Sequence, residues 1–465
     1  MPQNFIGFDR DQVLLLPPDL RDWLPQAHLA WFVLAAVEQM DLYAFYRPYN
    51  ADGVGRPAHD PQVMVALLLY AYCRGQRSAR VIERECVEDV AYRVVTANQC
   101  PDHTTIARFR QRHEDAIAGL FGEVLTLCAD AGLAGVGVLA VDGTKVHANA
   151  SHHANRDYEQ LAREILEEAK ETDRREDELY GDRRGDELPP ELATAEGRRA
   201  WLREAKKRLQ AERDANPQPV PRSRPARVKE AKRRLEEELW TEQRANDAYE
   251  AYRARGVDKR GWALSRGSSK PYQPSATPAG KVNVTDPDSK NLKAPRGYIQ
   301  GYNAQAVVNE NQIVIAAEIN TDSPDFGHLG PMVDAALHEL EAAGVDEQPG
   351  VIVADAGYWH QQQMERIASQ GIPVLIPPDA DKRKGTRPGW DGGPYAFMRA
   401  VLETELGKAL YRRRQETVEP VFANTKFNRR FDRFQRRGRS ACHSEWRLIT
   451  ATHNLLKLHT ALQAA

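Results

Sequence analysis

The spacing of apolar and polar residues divides the chain into four stretches, and the first of them predicts helices. Residues 1–134 carry apolar positions at helical intervals, and the long apolar run at 63–73 follows Asp60 and Pro61. Aspartate is a common N-cap and proline is common at the first helical position, so this run predicts a buried helix. We therefore predict an all-α N-terminal domain over residues 1–134.

A basic helix is predicted near the end of this domain. Asp102 is a candidate N-cap, and the residues after it place Arg108 and Arg112 one helical turn apart. Two interpretations fit this pattern. One is a helix-turn-helix-like unit that presents arginines to nucleic-acid phosphates, and the other is a solvated basic face without a ligand. The second is the more frequent origin of such a pattern, and the sequence leaves both open.

The second stretch, residues 135–155, begins a predicted sheet. Residues 135–146 are mostly small or β-branched apolar residues bounded by glycine, which predicts a strand buried on both faces. We predict that this strand ends in a carboxylate, Asp142. A second predicted strand, at 350–355, ends in Asp355 in the same way.

Residues 156–280 form a charged insertion. Glu, Arg, Lys and Ala dominate it, and apolar residues such as Leu161 and Ile165 recur at helical spacing. This pattern predicts long amphipathic helices that pair as a hairpin or arm. A solvated insertion and an arm that contacts DNA or another partner both fit. A linker rich in Ser, Pro and Gly, residues 265–280, is predicted to close it.

The last stretch, residues 281–465, returns to an alternation of strands and helices. Two predicted strands at 301–308 and 312–319 flank a polar turn, which predicts a hairpin. Two helices, near 328–343 and 359–370, then alternate with strands in the manner of βαβ units. Together with residues 135–155, this stretch predicts an α/β mixed sheet covered by helices.

Composition narrows the classes of protein that fit. The 465 residues are 42% hydrophobic and 28% charged, with a formal net charge of −2, which excludes a disordered polymer. The five cysteines include no CxxC pair, so neither a disulfide scaffold nor a cysteine zinc site is supported. The first residues lack the pattern of a signal peptide, and no apolar run is long enough to span a bilayer. We predict a cytoplasmic protein without a membrane partner.

Asp142 and Asp355 are the clearest chemical signal in the sequence. Both follow predicted buried strands, and α/β sheets form their active sites at the carboxyl ends of strands. A carboxylate beside a buried strand loses hydration unless a cation compensates it. Two such carboxylates on adjacent strands can share Mg²⁺, which prefers oxygen ligands. A turn-forming or helix-capping aspartate gives the same pattern at either position alone.

Two-metal phosphodiester chemistry requires a further acid, and Glu419 is the leading candidate. Pro420 disfavours helical geometry in the residue before it and suits a first helical residue, which predicts that Glu419 lies where a helix begins. Lys426 then lies two turns further along the same face, where it can contact a DNA phosphate. Glu445 is the competing candidate for the third acid.

Basic residues surround this glutamate. Residues 411–447 contain eleven Lys and Arg against four Asp and Glu, within a chain that is nearly neutral overall. Such a segment beside a carboxylate site suits a polyanionic substrate, because phosphate contacts supply most sequence-independent affinity. Four aromatic residues that lie among these charges are predicted to pack inward: Phe427, Phe431, Phe434 and Trp446.

Several motifs resemble those of prokaryotic insertion-sequence DDE transposases. They include Asp-Gly-Thr-Lys-Val-His from Asp142, Gly-Tyr-Asn-Ala-Gln from Gly301, Val-Ala-Asp-Ala-Gly-Tyr-Trp from Val353 and Glu-Pro-Val-Phe from Glu419. The resemblance implies a ribonuclease H-like catalytic domain, split between residues 135–155 and 281–465. In it, Asp142, Asp355 and Glu419 would bind two Mg²⁺ ions, with Mn²⁺ as a substitute, for DNA strand cleavage and strand transfer.

The same resemblance implies the partners. They are double-stranded DNA, as terminal inverted repeats and as target DNA, and further copies of the chain in a homo-oligomeric synaptic complex associated with the nucleoid. The predicted DNA-binding residues are Lys426, Arg414, Lys145, Arg437, Arg108 and Arg112, and residues 1–134 are expected to contribute DNA-end binding. The family signature Tyr-x2-Arg-x3-Glu-x6-Lys matches Tyr411, Arg414, Glu419 and Lys426, except that four residues separate Arg414 from Glu419.

Two other functions stay open at this point. One is a catalytically inactive, transposase-derived DNA-binding protein, and the other is a ribonuclease H-like nuclease without joining activity. His147, His152 and His153 match no zinc spacing, so they are predicted to be surface or loop histidines. No GxxxxGK[ST] loop is present, so ATP dependence is not expected.

Overall fold

A computed structural model describes residues 19–49, 58–167, 221, 223–254, 281–294, 297–379 and 392–464. Helices flank one curled mixed sheet, which is the α+β, ribonuclease H-like arrangement that the sequence predicts. The predicted linker at 265–280 and much of the charged insertion lie outside the described residues. Within the described ranges, none of the helices has the length and apolarity needed to cross a membrane.

The first part of the chain is helical, as predicted. Asp60 caps the apolar helix by accepting a hydrogen bond from the backbone N–H of Gln62 at 2.8 Å, and Pro61 is its first residue. Asp102 caps the basic helix through the backbone N–H groups of Thr104 and Thr105. The helices are α1 (Leu29–Glu38), α2 (Tyr43–Tyr46), α3 (Pro61–Cys73), α4 (Ala79–Glu88), α5 (Val90–Val95), α6 (His103–Arg112) and α7 (Glu114–Asp130).

The central sheet has six strands in the described part of the chain. They are β1 (Val138–His147), β4 (Lys290–Ala294), β5 (Gly297–Asn309), β6 (Val314–Asn320), β7 (Val351–Ala354) and β8 (Val374–Leu375). The order across the sheet is β4-β5-β1-β7-β8, and β6 also pairs with β5. A separate two-stranded ribbon joins β2 (Asn155–Arg156) to β3 (Val282–Asn283). In the main sheet, β1 runs antiparallel to β5 and parallel to β7.

The hairpin and the βαβ units follow the predicted order. β5 and β6 pair antiparallel, and Gln312 closes the turn between them with a positive φ of 60°. α9 (Leu329–Ala342) leads from β6 to β7, and α10 (Gln361–Ser369) leads from β7 to β8. β8 pairs parallel to β7. These connections place β1, β7 and β8 side by side with the same direction.

The charged insertion is helical where it is described. Residues 158–167 are helical, and α8 (Arg224–Ala254) is a single long helix. Leu161 of the first packs in one small hydrophobic cluster with Val228 and Leu235 of the second. The two helical segments therefore pair through apolar side chains.

Three C-terminal helices complete the fold. They are α11 (Gly393–Glu403), α12 (Glu405–Ala423) and α13 (Arg439–Ala464), with a π-helical turn, Asn424–Asn428, after α12. α12 packs against β1, β5 and β7, while α13 packs against α7, α3 and β6. A single core of buried apolar residues extends from α1 to α13. The C-terminal helices thus hold the sheet and the N-terminal helices together.

Arg429 strengthens this junction from inside the core. Its guanidinium donates hydrogen bonds to the carbonyl of Tyr72 in α3 and to that of Ile449 in α13, both at 3.1 Å. It also lies over the ring of Phe431, 4.6 Å from the centroid. Burial lowers the pKa of Arg429 to about 10. An arginine is suited to this position because one planar group can donate to several carbonyls at once.

Candidate active site

Asp142 and Asp355 lie next to each other on neighbouring parallel strands. Val141 of β1 is opposite Ala354 of β7 in the ladder, so the two aspartates follow at the same level of the sheet. The prediction that Asp142 ends its strand was wrong, because β1 continues to His147. It continues because the long strand β5 pairs with β1 well beyond Asp142. β7 pairs with β1 only as far as Ala354, so it ends directly before Asp355.

Both aspartates are half-buried. Burial raises the pKa of Asp142 to about 6, with a further contribution from the charge of Asp355. Burial also raises the pKa of Asp355. The backbone N–H of Gly143 donates to Asp142 and that of Gly357 donates to Asp355, each at 2.8 Å. Asp355 therefore caps a short 3-10 turn, and its charge also acts on Asp142.

Glu419 lies inside a helix, which corrects the prediction that a helix begins there. α12 runs from Glu405 to Ala423 with Pro420 in its interior. Proline lacks the N–H that would bond the carbonyl of Glu416 one turn earlier. The side-chain amide of Gln312 donates to that carbonyl instead, at 3.1 Å. This external donor explains why the helix continues past Pro420.

Arg414 connects two of the three candidate acids. One guanidinium nitrogen donates to Asp142 at 2.7 Å, and the other lies 3.7 Å from Glu419. The charge of Asp355 also acts on Arg414. The side chain of Arg414 is buried, whereas that of Glu419 is 57% exposed. A positive group therefore sits among the three carboxylates, despite the extra residue that separates Arg414 from Glu419 in the sequence.

Glu445, the competing candidate for the third acid, lies in a different environment. Its side chain is fully buried and lies 3.7 Å from Arg77. It accepts hydrogen bonds from the backbone N–H groups of Gln435 and Arg436, both at 3.0 Å. Burial raises its pKa. These contacts fix the segment before α13, and none of the described hydrogen bonds or ion pairs of Glu445 involves Asp142 or Asp355.

Sequence reasoning missed a fourth acid, Asp325, in the loop between β6 and α9. It accepts hydrogen bonds from the side-chain amides of Asn303 at 2.7 Å and Gln305 at 2.8 Å, and it lies 3.4 Å from the ammonium of Lys145. Its charge acts on both Asp142 and Asp355. Asn303 and Gln305 are polar residues in a buried strand. Their presence there was the one signal in the sequence that a charged side chain lies beside this strand.

Gly143 leaves the space in which these amides meet Asp325. A Cβ at this position would lie 2.3 Å from the amide nitrogen of Gln305 and 2.8 Å from an oxygen of Asp325. We expect Gly143→Ala to lower the free energy of unfolding by about 1–3 kcal/mol, because the buried neighbours must shift. Gly135→Ala is the control, since nothing lies within 4 Å of its added carbon. Equal denaturation midpoints for the two variants would contradict this prediction.

The two lysines beside the acids contact each other. The ammonium of Lys426 donates to the backbone carbonyl of Lys145 at 2.7 Å. Burial and the charge of Lys145 lower the pKa of Lys426 to about 8, although Asp432 opposes this. Lys426 lies in the π-helical turn rather than on α12. The prediction of two regular α-helical turns between Glu419 and Lys426 was therefore wrong, because the helix becomes π-helical from Asn424 onward.

The other predicted DNA-binding residues, Arg437, Arg108 and Arg112, have contacts outside the acidic site. Arg437 donates from its Nε to the carbonyl of Asn149 at 3.0 Å. On α6, Arg108 is exposed, whereas Arg112 lies over the ring of Tyr49, 4.5 Å from the centroid. Of the predicted inward aromatic residues, Phe431, Phe434 and Trp446 are buried but Phe427 is 78% exposed. His152 and His153 lie exposed in a 3-10 turn, and His147 lies in β1.

The chemistry of the acidic site fits a divalent cation. In the described ranges, no three His, Cys, Asp or Glu side chains are grouped closely enough to hold a metal ion. Asp142 and Asp355 nevertheless provide oxygen ligands of the kind that Mg²⁺ binds, and their raised pKa values reflect burial that a nearby cation would compensate. In this structure the guanidinium of Arg414 supplies part of that compensation.

Two parts of the chain match transposase families. Residues 18–112 match a family described as Transposase domain (DUF772), and residues 393–459 match the Transposase DDE domain. The two matches support an insertion-sequence DDE transposase. The second match contains Arg414, Glu419 and Lys426, and the first contains Arg108 and Arg112. No curated protein and no solved structure matches the chain.

Proposed function

We propose that the transposase binds the terminal inverted repeats of its insertion sequence and catalyses Mg²⁺-dependent DNA strand cleavage and strand transfer. The observation that carries this proposal is the adjacency of Asp142 and Asp355 on β1 and β7, beneath a helix that carries Glu419. Two aspartates side by side on neighbouring strands of a ribonuclease H-like sheet provide carboxylate ligands for a metal ion that assists a phosphodiester reaction. The match to the Transposase DDE domain supports the same chemistry.

Three acids are proposed to hold the cation. Asp142 and Asp355 would bind it from the sheet, and Glu419 would reach it from α12. When bound, Mg²⁺ stabilises charge on the phosphate and orients the attacking and leaving oxygens, and Mn²⁺ would substitute. Arg414 would hold Asp142 in its ionised form through their 2.7 Å contact. The acid then keeps the charge that a cation requires.

The lysines are proposed to bind the DNA backbone near these acids. Lys145 pairs with Asn303 of β5 in the ladder, its ammonium lies 3.4 Å from Asp325, and Lys426 donates to its carbonyl. Ammonium groups at this place would attract the phosphates on either side of the reacting bond. Arg108 and Arg112 on α6 are proposed to contact DNA further from the acids. Further copies of the chain would bring two DNA ends together in a synaptic complex.

A donor-end assay with the full chain tests the proposal. The substrate is a duplex that carries the inverted repeat found beside the gene, with a supercoiled plasmid as target. We expect cuts at the repeat end and covalent joints to the plasmid in the presence of Mg²⁺, and neither product in the presence of a chelator. The number of joints should fall when a duplex without the repeat replaces the substrate.

Two outcomes of this assay would overturn the proposal in different ways. Cuts without any covalent joint would identify a nuclease without joining activity. Salt-sensitive binding to repeat ends with no cut product would identify a DNA-binding protein that has lost catalysis. Because binding, cutting and joining are measured on the same labelled strand, the three functions give different product patterns.

A further inference from the structure

A cavity of about 400 Å³ lies between three separate parts of the chain. Arg110 and Glu114 line it from α6 and α7, and Arg227 lines it from α8 of the charged insertion. Arg436 and Arg437 complete it from the segment before α13. Among the described residues of its wall, four arginines therefore face a single glutamate.

The contacts of Arg436 and Arg437 leave donors for a ligand. Arg436 pairs with Glu114 through one terminal nitrogen, and Arg437 donates from its Nε to the carbonyl of Asn149. An arginine has five N–H donors in a fixed plane. In the part of the chain that the structure describes, the contacts of Arg436 and Arg437 use only a fraction of that capacity. The remaining donors can form paired hydrogen bonds to one anion.

The excess of positive charge in this cavity favours an anion. Guanidinium groups that line one partly enclosed space repel one another, and the repulsion is stronger than in bulk water because the local dielectric constant is lower. An anion that enters relieves this repulsion and accepts paired hydrogen bonds. Arginine matches phosphate particularly well, because its planar fork meets two phosphate oxygens at once.

The position of the cavity relates it to the acidic site. Asn149, the partner of Arg437, lies just beyond the end of β1, the strand that carries Asp142. The five residue-to-residue steps from Asp142 to His147 span roughly 17 Å of strand. A DNA duplex lying along β1 covers that distance in about five base pairs. One DNA end can therefore occupy the acidic site and reach the cavity.

We propose that the cavity formed by Arg110, Arg227, Arg436 and Arg437 binds a backbone phosphate of the DNA whose end lies at Asp142 and Asp355. The inference rests on the proposed function, since it takes the polyanion to be that DNA. It gives the charged insertion a role, because Arg227 comes from α8. The insertion then helps to hold DNA instead of being only a solvated addition.

The test compares two double variants of the full chain that have the same total charge. Arg227→Gln with Arg437→Gln removes two charges from the cavity, and Lys229→Gln with Lys293→Gln removes two from exposed positions outside it. Binding of a labelled repeat-end duplex is measured by fluorescence anisotropy across a salt series without divalent metal. We expect the cavity variant to bind about tenfold more weakly, with a salt slope smaller by about 1.

A charge-preserving variant distinguishes the loss of positive charge from a loss of folded protein. Arg227→Lys with Arg437→Lys keeps the charge but loses the paired hydrogen bonds, so we expect an intermediate affinity and an unchanged salt slope. The proposal is overturned if the cavity variant and the exposed control bind DNA with the same affinity and slope. It is also overturned if the lysine variant binds as weakly as the glutamine variant, because loss of binding would then not follow charge.

The failure of this inference and the failure of the proposed function are distinguishable. If the wild-type protein cuts and joins DNA while the cavity variant matches its control in binding, only the cavity proposal fails. If the wild-type protein neither cuts nor joins but the cavity variant loses binding, the cavity proposal holds and the catalytic proposal fails. The binding assay needs no metal, so it does not depend on Asp142, Asp355 or Glu419.

Discussion

Asp142→Asn and Asp355→Asn should each reduce strand cleavage by about a thousandfold or more. Each change removes a carboxylate that is proposed to bind the metal, and with it several kcal/mol of transition-state stabilisation. Each 1.36 kcal/mol corresponds to a factor of ten in rate. Asparagine has nearly the same shape and keeps an oxygen for the backbone N–H of Gly143 or Gly357. It lacks the negative charge that a divalent cation requires. The measurement is the initial rate of cut-strand formation on a repeat-end duplex with Mg²⁺.

The same variants should retain their fold and their affinity for DNA. Asparagine caps short turns well, so the turn after position 355 should persist in Asp355→Asn. Asp142→Asn should be somewhat less stable, because the buried Arg414 loses its closest carboxylate, but it should still fold, because the amide oxygen can accept a hydrogen bond from Arg414. Removing a negative charge near the DNA path does not weaken phosphate binding. Asp334→Asn is the matched control, since Asp334 is an exposed acid on α9 that pairs with Arg366. Cleavage by either site variant within tenfold of the control would refute the assignment.

The pairing of the two aspartates was predictable because it depends on short-range patterns. Each follows an apolar run that can only be a buried strand, and parallel neighbours place their following residues at the same level. The length of β1 was not predictable in this way. It depends on β5, a partner more than 150 residues away in sequence, which continues the ladder through Lys145.

The surroundings of Glu419 were harder to predict because they depend on compensation between distant residues. Pro420 normally marks a helix start, and this rule placed Glu419 at the wrong position in its helix. The rule failed because Gln312, from the hairpin turn, satisfies the carbonyl that proline leaves without a donor. Asp325 was missed for a similar reason, since its loop carries no periodic pattern and its partners Asn303 and Gln305 lie on another strand.

Glu445→Ala should lower the free energy of unfolding by about 3–5 kcal/mol, because breaking a buried charge pair leaves the remaining partners without compensation. Arg77 loses its carboxylate, and the backbone N–H groups of Gln435 and Arg436 lose their acceptor inside the protein. Chemical denaturation of the full chain measures the change. Glu445→Gln should lose less, since an amide oxygen can still accept one of these hydrogen bonds and burial already disfavours the charge of Glu445.

Glu419→Ala is the matched comparison and should show the opposite behaviour. Its side chain is 57% exposed and its described ion pair with Arg414 spans 3.7 Å, so the free energy of unfolding should change by less than about 1 kcal/mol. Strand cleavage should nevertheless fall by at least about a hundredfold, because the proposed third metal-binding acid is gone. A stable Glu445→Ala protein that no longer cuts DNA, together with an active Glu419→Ala protein, would reverse the assignment of the third acid. The two readouts separate a glutamate that holds the fold from one that is proposed to hold the metal, which the sequence could not do.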